Sequence, residues 1–81
     1  MNNPLPEILE LIPQKQIVLD LLLADSMRGI IAKITGNIVN NSYVVLLLNH
    51  LAQSNFIEIK ELTFPDIEGS TILLRKKING Y

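Results

Sequence analysis

The chain has 81 residues, enough to enclose one hydrophobic core and too few for two. It has no cysteine, so disulfides and thiolate-bound metals are excluded. Seven Lys and Arg against eight Asp and Glu leave a net charge of −1. That balance excludes a polyelectrolyte that coats nucleic acid, so any phosphate contact must come from a local basic patch.

Apolar residues make up 48% of the chain, mostly Ile and Leu, which predicts a dense core or a buried subunit contact. The longest unbroken apolar runs, Leu21–Ala24 and Tyr43–Leu48, fall far short of the roughly 20 residues that a membrane span needs, so no membrane association is expected. The opening Met1-Asn2-Asn3-Pro4 has neither the basic start nor the cleavage site of a signal peptide. With the lack of cysteine, this favours a cytoplasmic setting.

Met1–Pro6 reads as a loose start. Pro6 suits the first position of a short helix over Glu7–Ile12, whose Glu7 and Glu10 favour its positive N-terminal end. Pro13 opens a new element, and Gln14–Asp25 is predicted as a helix that is apolar nearly all round. Ile17, Leu21 and Ala24 form one face, Val18 and Leu22 another, Leu19 and Leu23 a third, and Asp20 alone interrupts them. Such a helix needs cover on more than one side, from its own core and from the N-terminal segment or a second subunit.

Ser26 has the chemistry of an N-cap for a helix over Met27–Thr35, with Ile30, Ile31 and Ile34 inward and Arg28 and Lys33 outward. Gly36 is its stop, and Asn37–Asn40 makes a turn. A third helix spans about Asn41–Asn55, where Val44, Leu47, Leu48 and Leu51 form the core stripe. Its opposite side carries Ser42, Leu46, Asn49, His50 and Gln53, polar but without a fixed charge. Phe56–Leu62 and Thr71–Lys77 have strand composition. The loop between them, Thr63–Ser70, contains Pro65, Asp66, Glu68 and Gly69.

Helix, turn, helix, strand, loop, strand is the order of a winged helix-turn-helix. The predicted fold is α+β: three core helices, plus a short N-terminal helix, followed by a two-stranded β-hairpin wing. One domain covers 1–81, divided into an N-terminal segment (1–12), a helical core (13–55) and a wing hairpin (56–78).

Several stretches resemble winged-helix transcriptional regulators of the MarR type and related archaeal or viral single-domain regulators. Leu11-Ile12-Pro13-Gln14 before Ile17-Val18-Leu19 resembles the family's Leu-Thr-Pro-x-Gln opening. Ile31-Ala32-Lys33-Ile34-Thr35-Gly36 resembles its Ile-Ala-x-x-Leu-Gly second helix. Ser42-Tyr43-Val44 with Leu48 and Leu51 resembles its recognition helix, and Asn55-Phe56-Ile57 stands where Gly-Leu-Ile is usual. The resemblance implies a sequence-specific, homodimeric transcription regulator that binds double-stranded DNA. Three features depart from it. The turn before the third helix is longer, that helix has no Arg or Lys, and the wing carries Asp66 and Glu68 in place of an arginine. The long terminal helices of MarR dimers are also absent from this sequence, so the dimer contact is expected from Gln14–Asp25 and the N-terminal segment.

Asn and Gln side chains can hold adenine through paired hydrogen bonds, and an apolar group can meet a thymine methyl. Asn49, Gln53 and Leu46 are therefore the candidate base contacts, with Asn40, Asn41, Ser42 and Tyr43 at the helix start meeting phosphates. Arg75, Lys76 and Lys77 form the dense basic cluster, and Arg28, Lys33 and Lys60 are further phosphate candidates. The alternative is a winged-helix module that docks a protein and binds no DNA, for which Leu46, Tyr43 and the acidic wing speak. Enzymatic activity is not expected: His50 is the single histidine, no carboxylates obviously converge, and the glycines lack phosphate-loop spacing. No cofactor, metal or small-molecule ligand is implied.

Overall fold

The structure, a computed structural model, describes residues 3–63, 65, 66 and 69–78. Its elements run α1 (Leu5–Glu10), β1 (Ile17–Val18), α2 (Leu21–Thr35), α3 (Asn41–Gln53), β2 (Ile57–Thr63) and β3 (Ser70–Lys76). The strands form one antiparallel sheet in the order β1-β3-β2. The described residues thus form a small α+β fold with three helices and a three-stranded sheet.

The expected helix over Gln14–Asp25 is replaced by a strand and the start of the next helix. β-branched Ile17 and Val18 pair with Leu74 and Leu73 on the otherwise open side of β3. Backbone bonds flank that pairing: the Lys76 N–H donates to the Pro13 carbonyl at 2.6 Å, and the Leu19 N–H to the Ile72 carbonyl at 2.8 Å. Asp20 then stays extended (φ −92°, ψ 176°) and its carboxylate accepts the Leu23 N–H at 2.8 Å, which caps α2. Helix α2 therefore absorbs the predicted Met27–Thr35 helix and runs straight through Ser26. That hydroxyl donates back to the Leu22 carbonyl at 3.0 Å, so Ser26 is a mid-helix residue and not a cap. The four expected helices become three, and the expected two-stranded sheet gains a third strand.

The other expectations move by small steps. The first helix is Leu5–Glu10, with Pro6 in its first turn where a missing N–H costs nothing. Gly36 ends α2 in the left-handed region at φ 76°, a conformation open to glycine without strain. The strands reach Thr63 and start again at Ser70, and Glu68 of the acidic loop lies outside the described residues.

The core lies between the helices and one face of the sheet. Ile8 and Ile12 come from the N-terminal segment, and Ala24, Met27 and Ile31 from one side of α2. Val44, Leu48 and Leu51 come from α3, and Ile57 and Leu74 from the sheet. Burial of each larger side chain contributes on the order of 1.5–3 kcal/mol, and no polar residue is buried among those described. Apolar surface is left over: Leu21 and Leu22, in the first turn of α2, are 80% and 79% exposed. Among the described residues no helix is long and apolar enough to cross a membrane.

Candidate nucleic-acid interface

Helix α3 is set by its two ends. Asn40 is extended (φ −95°, ψ 176°), and its side-chain oxygen accepts the Tyr43 N–H at 3.1 Å. At the far end Asn55 takes φ 66°, a left-handed conformation that asparagine tolerates better than most residues, and the chain turns into β2. Between these ends the apolar residues at steps of four and three (Val44, Leu48, Leu51) are buried, with Leu47 half-buried beside them. Burial of that stripe turns the residues at 42, 46, 49 and 53 away from the core, and all four are exposed. Leu46, in the middle, is 61% exposed.

The remaining candidates divide by their partners. Asn41, Ser42 and Tyr43 stand exposed at the first turn of α3, whereas the Asn40 oxygen is occupied in capping. Lys33 is exposed on the last turn of α2. Arg28 pairs with Asp25 one turn earlier, so its charge is locally compensated. In the sheet, side chains alternate between the core face and the outer face. Arg75 lies on the outer face opposite Glu58, with its Nε 3.4 Å from the carboxylate. Lys60 approaches the same carboxylate at 3.9 Å. Lys76 ends β3 on the other face opposite Ile57, and Lys77 follows it, both half-buried. The basic run is therefore not one patch, because Arg75 is tied to Glu58 and its neighbour in sequence points the other way.

The sequence alone does not show Glu58 to be the partner of Arg75. The pairing follows only once the hairpin register is known, and the long loop leaves that register undetermined. Two adjoining grooves lie beside α3. One, of about 360 Å³, is lined by Leu5, Pro6, Leu9, His50, Leu51 and Phe56 with Asn3 and Ser54. The next, of about 390 Å³, is lined by Leu5, Leu46, Leu47, Asn49, His50 and Gln53, so part of the candidate base-reading stripe also borders apolar surface from α1. Among the described residues no three His, Asp or Glu side chains cluster as metal ligands would. Comparison with protein-family models, with curated proteins and with solved structures finds no match.

Proposed function

We propose that this protein is a winged-helix regulator that binds double-stranded DNA as a homodimer, with α3 in the major groove. Two features of the fold support the winged-helix reading. The element order is helix, strand, helix, helix, strand, strand, and the first strand joins the terminal hairpin as a third member of its sheet. The observation that carries the DNA reading is the open stripe of Ser42, Leu46, Asn49 and Gln53 along α3. In this reading Asn49 and Gln53 hold adenine edges, Leu46 meets a thymine methyl, and Asn41, Ser42 and Tyr43 bond phosphates. Lys33, Lys76 and Lys77 supply phosphate neutralisation, while Arg28 and Arg75 contribute less because each already faces a carboxylate. Regulation is by occupancy: the bound dimer blocks or recruits polymerase at its site.

A second reading, a protein-docking module without DNA binding, is favoured by the groove that Leu46, Asn49 and Gln53 share with Leu5. An electrophoretic shift with duplex DNA at low and moderate salt separates the two. The DNA reading predicts a shifted band that fades as salt rises, because phosphate contacts release counterions. Absence of any band at low salt would favour the docking module.

A further inference from the structure

We propose that two copies of this chain associate edge to edge through β2, in an antiparallel ladder centred on Ile59. This rests on the dimer part of the function proposed above and not on its DNA part. In the sheet order β1-β3-β2, strand β2 has β3 on one side and no strand on the other among the described residues. It is seven residues long, whereas the edge at β1 is only two.

The backbone directions restrict how that edge can pair. In an antiparallel ladder, alternate residues point both their N–H and C=O toward one neighbour or toward the other. The Phe56 carbonyl accepts the Lys77 N–H at 3.0 Å, so the even-numbered residues of β2 turn toward β3. Lys76 and Ile72, opposite Ile57 and Glu61, bond the other way, to Pro13 and Leu19. Ile57, Ile59, Glu61 and Thr63 therefore direct their backbone groups away from β3, toward the open edge. A second β2 can bond there only in registers that oppose odd-numbered residues to odd-numbered residues.

Charge then selects among those registers. A pairing centred on Glu58, Lys60 or Glu61 sets that residue against its own copy, and like charges directly opposite are unfavourable. A pairing centred on Ile57 or Leu62 opposes only a short stretch. Centred on Ile59, each Glu58 faces the Lys60 of the other copy, twice, and the two Ile59 side chains meet on the core side of the sheet. Glu58 and Lys60 would then form non-hydrogen-bonded pairs, the positions where opposed side chains come closest. Arg75 already holds Glu58 on the outer face. A lone lysine on an edge strand usually guards against pairing. Lys60, two residues from Glu58, opposes the like-charged registers and favours this one. The product is a continuous six-stranded sheet.

The test is sedimentation equilibrium of the full chain, with folding checked by circular dichroism. Wild type is expected to be a dimer at micromolar concentration. Lys60→Glu and Glu58→Lys each replace two attractive cross-strand pairs by two repulsive ones, so each is expected to raise the dimer Kd on the order of tenfold or more. An equimolar mixture of the two variants re-forms both opposed pairs and is expected to dimerise as wild type does. Glu61→Pro, which removes an edge-facing N–H at an exposed position, is expected to weaken the dimer while leaving the monomer folded. A monomeric wild type would overturn both the edge pairing and the homodimer. A dimer unchanged by Lys60→Glu and by Glu61→Pro would overturn the edge pairing and leave the homodimer standing. Monomeric single variants whose mixture stays monomeric would overturn the Ile59-centred register.

Discussion

Glu58 and Arg75 face each other across the hairpin, and the guanidinium Nε lies 3.4 Å from the carboxylate on the outer face of the sheet. Both side chains are about a third exposed, so the pair contributes only about 0.2–1 kcal/mol to stability. Under the proposed DNA reading, its larger consequence is for phosphate contact. A cation already neutralised by a neighbour releases fewer counterions when it meets a phosphate. Arg75→Ala is therefore expected to change the salt dependence of duplex binding little, whereas Lys77→Ala, lost from both copies, should reduce the slope of log K against log salt by about 1.8 per bound dimer, about 0.9 for each copy. Fluorescence anisotropy across a salt series measures both. Equal losses from the two variants would mean that Glu58 does not hold Arg75 in solution.

The start of α2 makes a second prediction. Asp20 caps the helix through the Leu23 N–H, while Ser26 bonds a carbonyl one turn back. Asp20→Ala should cost about 0.5–2 kcal/mol in urea denaturation, the usual loss of an N-cap. Ser26→Ala should stay within about 0.5 kcal/mol of wild type, as for a substitution at an exposed helix position. The reverse order would restore a helix boundary at Ser26.

That same boundary divides what is legible in the sequence from what is not. Gly36 announces the end of α2, because a left-handed glycine is a local device visible in the residue itself, and the start of α3 falls at Asn41 as expected, whereas the capping role of Asn40 emerges only in the structure. The buried stripe of α3 was legible from its period. Strand β1 was not, because two residues are too few to show alternation, and Ile17-Val18-Leu19 runs almost directly into Leu21-Leu22-Leu23. The available signal was Asp20, a good cap standing just before a helical run, which competed with an equally plausible Ser26. The division of the basic run was half legible. Strand alternation separates Arg75 from Lys76, but the partnership with Glu58 depends on a register that a long loop does not fix.

If α3 reads bases, its exposed polar residues should matter for choice of sequence more than for stability. Asn49→Ala and Gln53→Ala are each expected to leave the denaturation midpoint unchanged. Each should also reduce discrimination at one A·T pair in each half-site by about 1–3 kcal/mol per pair, measured by competition among duplexes selected from a random pool. For Leu46, replacing thymine by uracil in the selected site removes the methyl group and should weaken wild type but not Leu46→Ala. Equal weakening of both proteins would remove Leu46 from the base contacts.

Leu21 and Leu22 are the most exposed leucines in the structure and belong to the stretch from which a dimer contact was expected. If the dimer forms at the proposed β2 edge, Leu21→Gln combined with Leu22→Gln should leave the sedimentation-derived dimer Kd within about threefold of wild type, a change under about 1 kcal/mol. Dissociation of this variant into folded monomers would return the dimer contact to the start of α2.

The most direct test of the DNA reading is an amide-resolved NMR titration of the protein with its selected duplex. The largest shift changes are expected on α3 at Ser42, Leu46, Asn49 and Gln53, with smaller ones at Lys33 and Lys77. Binding that leaves these four amides unmoved, or no binding at low salt, would contradict that reading.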